Sequence, residues 1–399
     1  MKTSVIGFPR IGAHRELKFV TESYFRGEKS TEELLAAVRE QRQGQWILQE
    51  KAGIDFIPSN DFSLYDGGLD TAFLLNAIPQ RYQDLGLNDV DTYFAMARGY
   101  QGTAGDVKAF SMKKWFNTNY HYMVPEIEDT VDIKLRSSTF LDGYRQAKAL
   151  GIETKPVLVG PFTFLKLADF VGKKTVADVL PAILAAYEDI FKVAEDQGVA
   201  WLQLDEPYLV RDLTKEDVDL FVSIYEKLLP KKGPLKVLLQ TYFGDVRDCY
   251  QTLTGLDFDG IGLDFVEGKQ TVDLLNKYGF PQGKTLFAGL VNGKNIWRTD
   301  YKKVLGILNG LSQKGHDLVL STSCSLLHVP YTVANESKLS QDVTKHFSFA
   351  CEKLGELHEL GTLADLADYE ADDSYQANQA LFAENQLRVD KGVQAAVAA

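Results

Sequence analysis

The chain has 399 residues, 45% of them hydrophobic and 25% charged, which suits two or three globular domains or one large α/β barrel. A net charge of −12 argues against nucleic acid and anionic membrane as partners, so any anion it binds must meet locally concentrated basic groups. The scattered cysteines Cys249, Cys324 and Cys351 form neither a disulfide framework nor a local zinc motif. With no long apolar stretch at the start or elsewhere, a reduced, cytoplasmic protein is expected, neither secreted nor membrane-spanning.

Short apolar runs recur, each followed by a polar turn and a helical pattern. They fall at residues 5–8, 54–58, 156–160, 201–205, 235–239, 260–264, 286–291 and 318–321. Strands of a parallel sheet read this way because both of their faces are covered. Amphipathic helical spacing is clear over 176–193, 215–229, 301–311 and 343–360. Eight such alternations predict a (β/α)8 TIM barrel, an α/β fold that normally needs about 250 residues. The excess lies mainly in 64–150, an N-terminal helical elaboration before the third strand. The barrel is expected to occupy 1–365. Residues 366–399, rich in Ala, Asp, Glu and Gln, read as a surface helix, a linker or a frayed tail.

Barrel enzymes carry their chemistry at the C-terminal strand ends. Here those ends offer Pro9 and Arg10, Asn60 and Asp61, Gly160 and Pro161, Asp205 and Glu206, Thr241 and Tyr242, Asp264, Asn292, and Ser323 and Cys324. The rim is polar and mostly acidic, which fits a site or a network bracing loops. Adjacent strand residues point to opposite faces, so one of Asp205 and Glu206 is expected to face the mouth. The other should brace a loop or pair with an arginine such as Arg10. Arg15 and Lys18 open a helix where the macrodipole favours anions, which suggests that they serve an anionic ligand outside it. The run Trp115-Phe116-Asn117-Thr118-Asn119-Tyr120-His121-Tyr122, preceded by Lys113 and Lys114, could stack on a planar heterocycle or simply pack the elaboration onto the barrel. Cys324, with no second thiol or base nearby in sequence, reads as a packed residue.

Together, Gly7-Phe8-Pro9-Arg10-Ile11-Gly12, Arg15-Glu16-Leu17-Lys18, Lys114 through Tyr122, Val159-Gly160-Pro161, Asp205-Glu206-Pro207 and Ser323-Cys324-Ser325-Leu326-Leu327-His328 resemble the N-terminal half of the cobalamin-independent methionine synthases. The resemblance runs from about residue 3 to 360. It implies two barrels in a whole enzyme that moves a methyl group from 5-methyltetrahydropteroyltriglutamate to homocysteine. Zinc, homocysteine and the methyl transfer then belong to the C-terminal catalytic barrel, toward which 366–399 would lead. The resemblance assigns the folate polyglutamate tail to Arg15, Glu16, Leu17, Lys18, Lys114 and Asn119. The positions matching the zinc ligands are Tyr242, Gly244, Asp264 and Cys324, too few of them ligands for a metal site, so no zinc is expected in this chain. Two other readings are a free-standing barrel enzyme of the uroporphyrinogen decarboxylase type and a scaffold that binds nothing.

Overall fold

A ring of eight parallel strands forms the centre of the computed structural model, which describes residues 1–383 and 391–398. In chain order the strands are β1 (Lys2–Ser4), β2 (Ile57–Ser59), β3 (Thr154–Val159), β4 (Trp201–Asp205), β5 (Lys236–Gln240), β6 (Gly260–Asp264), β7 (Thr285–Val291) and β8 (Asp317–Thr322). Each pairs with its sequence neighbour, and β1 pairs with β8. A parallel bridge from Ser4 to Phe56 joins β1 to the start of β2 and closes the ring. Every residue of β3 and of β6 is buried, as expected of strands covered by barrel contents on one side and helices on the other.

The second strand lies at Ile57–Ser59 rather than 54–58, and two further expected elements are displaced for identifiable reasons. The first strand lies at Lys2–Ser4 rather than 5–8. Val5 N–H still donates to Phe56 O at 3.2 Å, but beyond it side chains replace strand partners: Ile6 N–H donates to Thr322 Oγ1 at 3.2 Å and Phe8 N–H to Asp61 Oδ2 at 2.8 Å. The helical pattern of 343–360 splits into one turn at Gln341–Thr344 and a helix at Ala350–Leu363. Between them Ser348 N–H donates to Ile296 O at 2.7 Å, and Phe347 bridges Trp297. Backbone given to that pairing cannot also continue the helix.

Helix α1 (Glu16–Phe25) and helix α2 (Thr31–Lys51) follow β1, and α2 starts at a capping box between Ser30 and Glu33. The long connection after β2 carries helix α3 (Gly67–Leu74), helix α4 (Asp89–Arg98) and a hairpin of Met112–Lys114 with His121–Met123. These pieces share a second apolar core with α1 and α2, built from residues such as Leu17, Leu34, Tyr82, Phe94 and Met123. The elaboration therefore stands on its own buried cluster over the C-terminal strand ends. Its last part, helix α5 (Asp142–Ala149), returns to pack on β2 and β3.

Toward the C-terminus, helix α6 (Asp373–Ala383) buries Tyr375 and docks on the barrel. Asn378 accepts from Tyr301 N–H at 3.1 Å and donates to Thr299 O at 2.9 Å. Within the expected tail 366–399, positions 384–390 and 399 lie outside the described residues. No helix among the described residues is long and apolar enough to cross a membrane.

Candidate functional site

The turn after β1 is held to the elaboration by its own motif. Gln45 donates to Pro9 O at 2.8 Å, and Arg10 Nη1 donates to Ser63 O at 3.3 Å and Leu64 O at 3.2 Å. A Cβ on Gly7 would sit 2.6 Å from Ser325 Oγ, so this close approach of two loops requires glycine. Arg10 pairs with neither Asp205 nor Glu206, so that expected ion pair is not made. The arginine is used instead on backbone carbonyls that β-sheet pairing leaves free.

The two carboxylates at the end of β4 do part ways. Asp205 faces the mouth, accepting from Gln203 Nε2 at 2.7 Å and from the Tyr242 hydroxyl at 3.1 Å. Burial pushes it up to about 7. Glu206 turns outward and accepts from Phe162 N–H at 3.0 Å, Thr163 N–H at 2.6 Å and the Tyr225 hydroxyl at 2.5 Å. Burial raises it to about 7 as well. It braces the start of the Pro161–Leu167 helix, and a Cβ on Gly160 would lie 2.2 Å from its carboxylate. The Val159-Gly160-Pro161 motif is thus a seat for Glu206. Below Asp205, the fully buried Lys155 donates to Val5 O at 2.8 Å and to Gln203 Oε1, and desolvation lowers it to about 8.

Above this network lies a cavity of about 460 Å³, between the barrel mouth and the elaboration. Asp61, Asp205, Tyr242 and His328 border it from the barrel, Arg42 from α2, Asp70 from α3, Tyr93 from α4, and Trp115, Tyr120 and Tyr122 from the hairpin. Tyr120 meets the His328 ring edge-on at 5.3 Å between centroids. Asp66 caps α3 through Leu69 N–H at 2.9 Å and reaches the hairpin through Met123 N–H at 3.0 Å. Asp70 accepts from the Tyr93 hydroxyl at 2.6 Å. The sequence reading did not single out Arg42, Asp66, Asp70 or Tyr93. Only Asp66, followed by two glycines, carried a local signal, that of a helix cap.

The six residues assigned to the tail lie elsewhere. Arg15 is the left-handed N-cap of α1 at φ 64° and is exposed. Glu16 accepts from His14 N–H at 3.0 Å, Leu17 is buried in the second core, and Lys18 lies 3.7 Å from Glu22. Lys114 pairs with His121 in the hairpin, and both Lys114 and Asn119 are exposed. None of the six borders the cavity. Among the described residues, no hydrogen bond or ion pair joins the Arg15–Lys18 turn to Lys114 or Asn119.

Residues 2–316 match the model of the cobalamin-independent synthase N-terminal domain. The chain belongs to the cobalamin-independent methionine synthase family. Several proteins named 5-methyltetrahydropteroyltriglutamate–homocysteine methyltransferase are similar to it. That of Lactococcus lactis is 54% identical over 91% of this chain and 48% of its own length. That of Streptococcus thermophilus is 50% identical over 100% of this chain and 52% of its own. The chain therefore spans about half the length of these relatives. In fold it resembles a putative vitamin-B12-independent methionine synthase from Listeria monocytogenes, with a TM-score of 0.63 at 15% identity, covering 90% of this chain and 96% of that one.

The methionine synthase family implies zinc, and the residues present here do not fit it. Asp264 accepts from the N–H groups of Phe243 at 2.9 Å, Val266 at 2.8 Å and Glu267 at 2.9 Å, so most of its accepting capacity is taken by the backbone. Cys324 is buried beside Tyr242 and Ile6, and burial drives its thiol far from the thiolate form that binds metal. Tyr242 gives its hydroxyl to Asp205, and Gly244 has no side chain to offer. No group of three or more His, Cys, Asp or Glu suited to a metal occurs among the described residues.

Proposed function

We propose that this chain is the folate-tail-binding half of an enzyme that transfers a methyl group from 5-methyltetrahydropteroyltriglutamate to homocysteine, giving methionine in the cytoplasm. Arg15, Glu16, Leu17, Lys18, Lys114 and Asn119 bind the polyglutamate tail. Zinc and the homocysteine thiol belong to a second, catalytic barrel, and this half alone has no synthase activity.

The observation that carries the proposal is the match to the N-terminal domain model, joined to relatives of twice the length that bear this activity's name. Charge placement supports it. In an acidic chain, Arg15 and Lys114 are exposed cations without an ion-pair partner among the described residues, and Lys18 has only the loose Glu22 contact. Exposed pairs contribute about 0.2–1 kcal/mol each, so such contacts orient and capture a tail of several carboxylates rather than fix its far end. A similarly exposed site weakens as salt shortens the Debye length below about 10 Å.

The test supplies the proposed catalytic half in trans and follows methyl transfer with mono- and triglutamyl folate. Transfer that needs both chains and prefers the triglutamate is expected. Turnover by this chain alone, or indifference to the tail, overturns the proposal.

A further inference from the structure

None of the residues proposed for the tail borders the cavity at the barrel mouth, yet this cavity has the makings of a site. Its volume of about 460 Å³ exceeds what one or two bridging waters fill and falls within the range of small-ligand pockets. Two residues on its border, Arg42 and His328, each carry a buried nitrogen without a hydrogen-bond partner, Nε and Nδ1, and no other nitrogen of the Arg42 guanidinium makes a hydrogen bond among the described residues. Buried polar atoms are nearly always paired, so each unpaired one calls for an explanation.

The two atoms ask for opposite partners. Arg42 reaches in from α2 and makes no hydrogen bond, although Asp142, Asp61 and Asp70 act on it through space. A guanidinium in that position is a ready fork for a carboxylate. His328 belongs to the barrel side, packed edge-on against Tyr120 and Phe243. Desolvation, helped by the Lys294 ammonium and opposed by Glu267, holds it down to about 4, so near pH 7 it is neutral and one ring nitrogen accepts. Its neighbour Phe243 leads through Tyr242 to Asp205. Each oxygen of Asp205 takes one protein donor, and a carboxylate has room for more. That end suits an ammonium group. Asp61 acts through space on both Arg42 and Asp205.

We infer that the cavity binds a small zwitterion, with its carboxylate on Arg42, its amine on Asp205, and an apolar or aromatic spacer against Tyr93 and Tyr120. The inference does not depend on the tail-binding proposal, because the two sites share no residue.

Calorimetric titration of the full chain with ω-amino acids of graded length tests it. The series runs from γ-aminobutyrate through ε-aminocaproate to ω-aminooctanoate, with para-aminomethylbenzoate as a rigid spacer and hexanoate and hexylamine as one-ended controls. Saturable binding with an optimum length, roughly tenfold tighter than either control, is expected. Arg42→Gln and Asp205→Asn should each weaken the best ligand by a similar factor, with Arg42→Lys intermediate, in variants whose circular dichroism matches the parent. No saturable binding at millimolar concentration, or no preference over the one-ended controls, overturns the inference. The length series uses the unmodified chain, so it decides the matter even if a variant fails to fold.

Discussion

Asp205 and Glu206 are adjacent in sequence and serve opposite sides of the barrel wall. Asp205 looks into the mouth toward Tyr242, while Glu206 holds the start of the Pro161–Leu167 helix and the Tyr225 hydroxyl. The alternation of a strand separates them, and the same fact separates what their loss should do.

Glu206→Ala leaves the N–H groups of Phe162 and Thr163 and the hydroxyl of Tyr225 without their acceptor. Unsatisfied buried groups cost about 1–3 kcal/mol each, partly relieved by water entering the space. A loss of about 3 kcal/mol or more in urea unfolding is expected. Gly160→Ala should mimic it, because the added methyl displaces the same carboxylate. Stability within about 0.5 kcal/mol of the parent, the usual range for surface changes, would refute the bracing role.

The pH dependence follows from the raised carboxylates. Asp205 and Glu206 are each raised to about 7 by burial, above their unfolded values of about 3.9 and 4.3. Between those limits the folded state holds more protons than the unfolded state, so stability falls as pH rises. Their contribution is complete below about pH 4 and lost through pH 7. Lys155, lowered to about 8, releases its proton above that window and adds no slope within it. Calorimetric melting between pH 5 and 7 should show a declining Tm. Asp205→Asn should flatten the decline, and an unchanged slope in that variant would contradict the assignment.

If the tail proposal holds, Arg15→Ala and Lys114→Ala in the two-half enzyme should each raise KM for triglutamyl folate by about 1.5- to 5-fold, the equivalent of 0.2–1 kcal/mol. Monoglutamyl folate should be almost unaffected. The penalty should shrink at high salt. Equal losses for both substrates would place these side chains outside the tail site.

The docked helix α6 is tied down by Asn378, which bonds Tyr301 N–H and Thr299 O, and by buried Tyr375. Asn378→Ala should destabilise by about 1–3 kcal/mol, since a buried donor and acceptor lose their partners. A chain ending at residue 372 should lose at least as much, read as a lower urea midpoint. No change in either would mean that α6 rests on the barrel without stabilising it.

Much of the architecture was legible along the chain because a parallel barrel writes itself as repeated apolar runs. The runs at 201–205 and 260–264 coincide with β4 and β6. The first strand was misplaced because apolar Val5, Ile6 and Phe8 continue the pattern while the N–H groups of Ile6 and Phe8 have turned to the Thr322 and Asp61 side chains. The helix at 343–360 was overextended because its periodicity conceals the pairing of Phe347 with Trp297.

By itself the sequence determined the fold class, the family and the opposed directions of Asp205 and Glu206. All three follow from local periodicity and contiguous motifs. The tertiary structure alone decided that Arg10 serves backbone carbonyls rather than a carboxylate. It alone decided that Asp264 is consumed by N–H groups, and that Arg42, Asp70, Tyr93, Asp205 and His328 border one cavity. Those relationships join residues up to hundreds of positions apart, and even the nearer ones depend on how the loops fold. They exist only once the ring closes and the elaboration settles over its mouth, because hydrogen bonds and desolvation depend on distance in space, which spacing along a chain does not record.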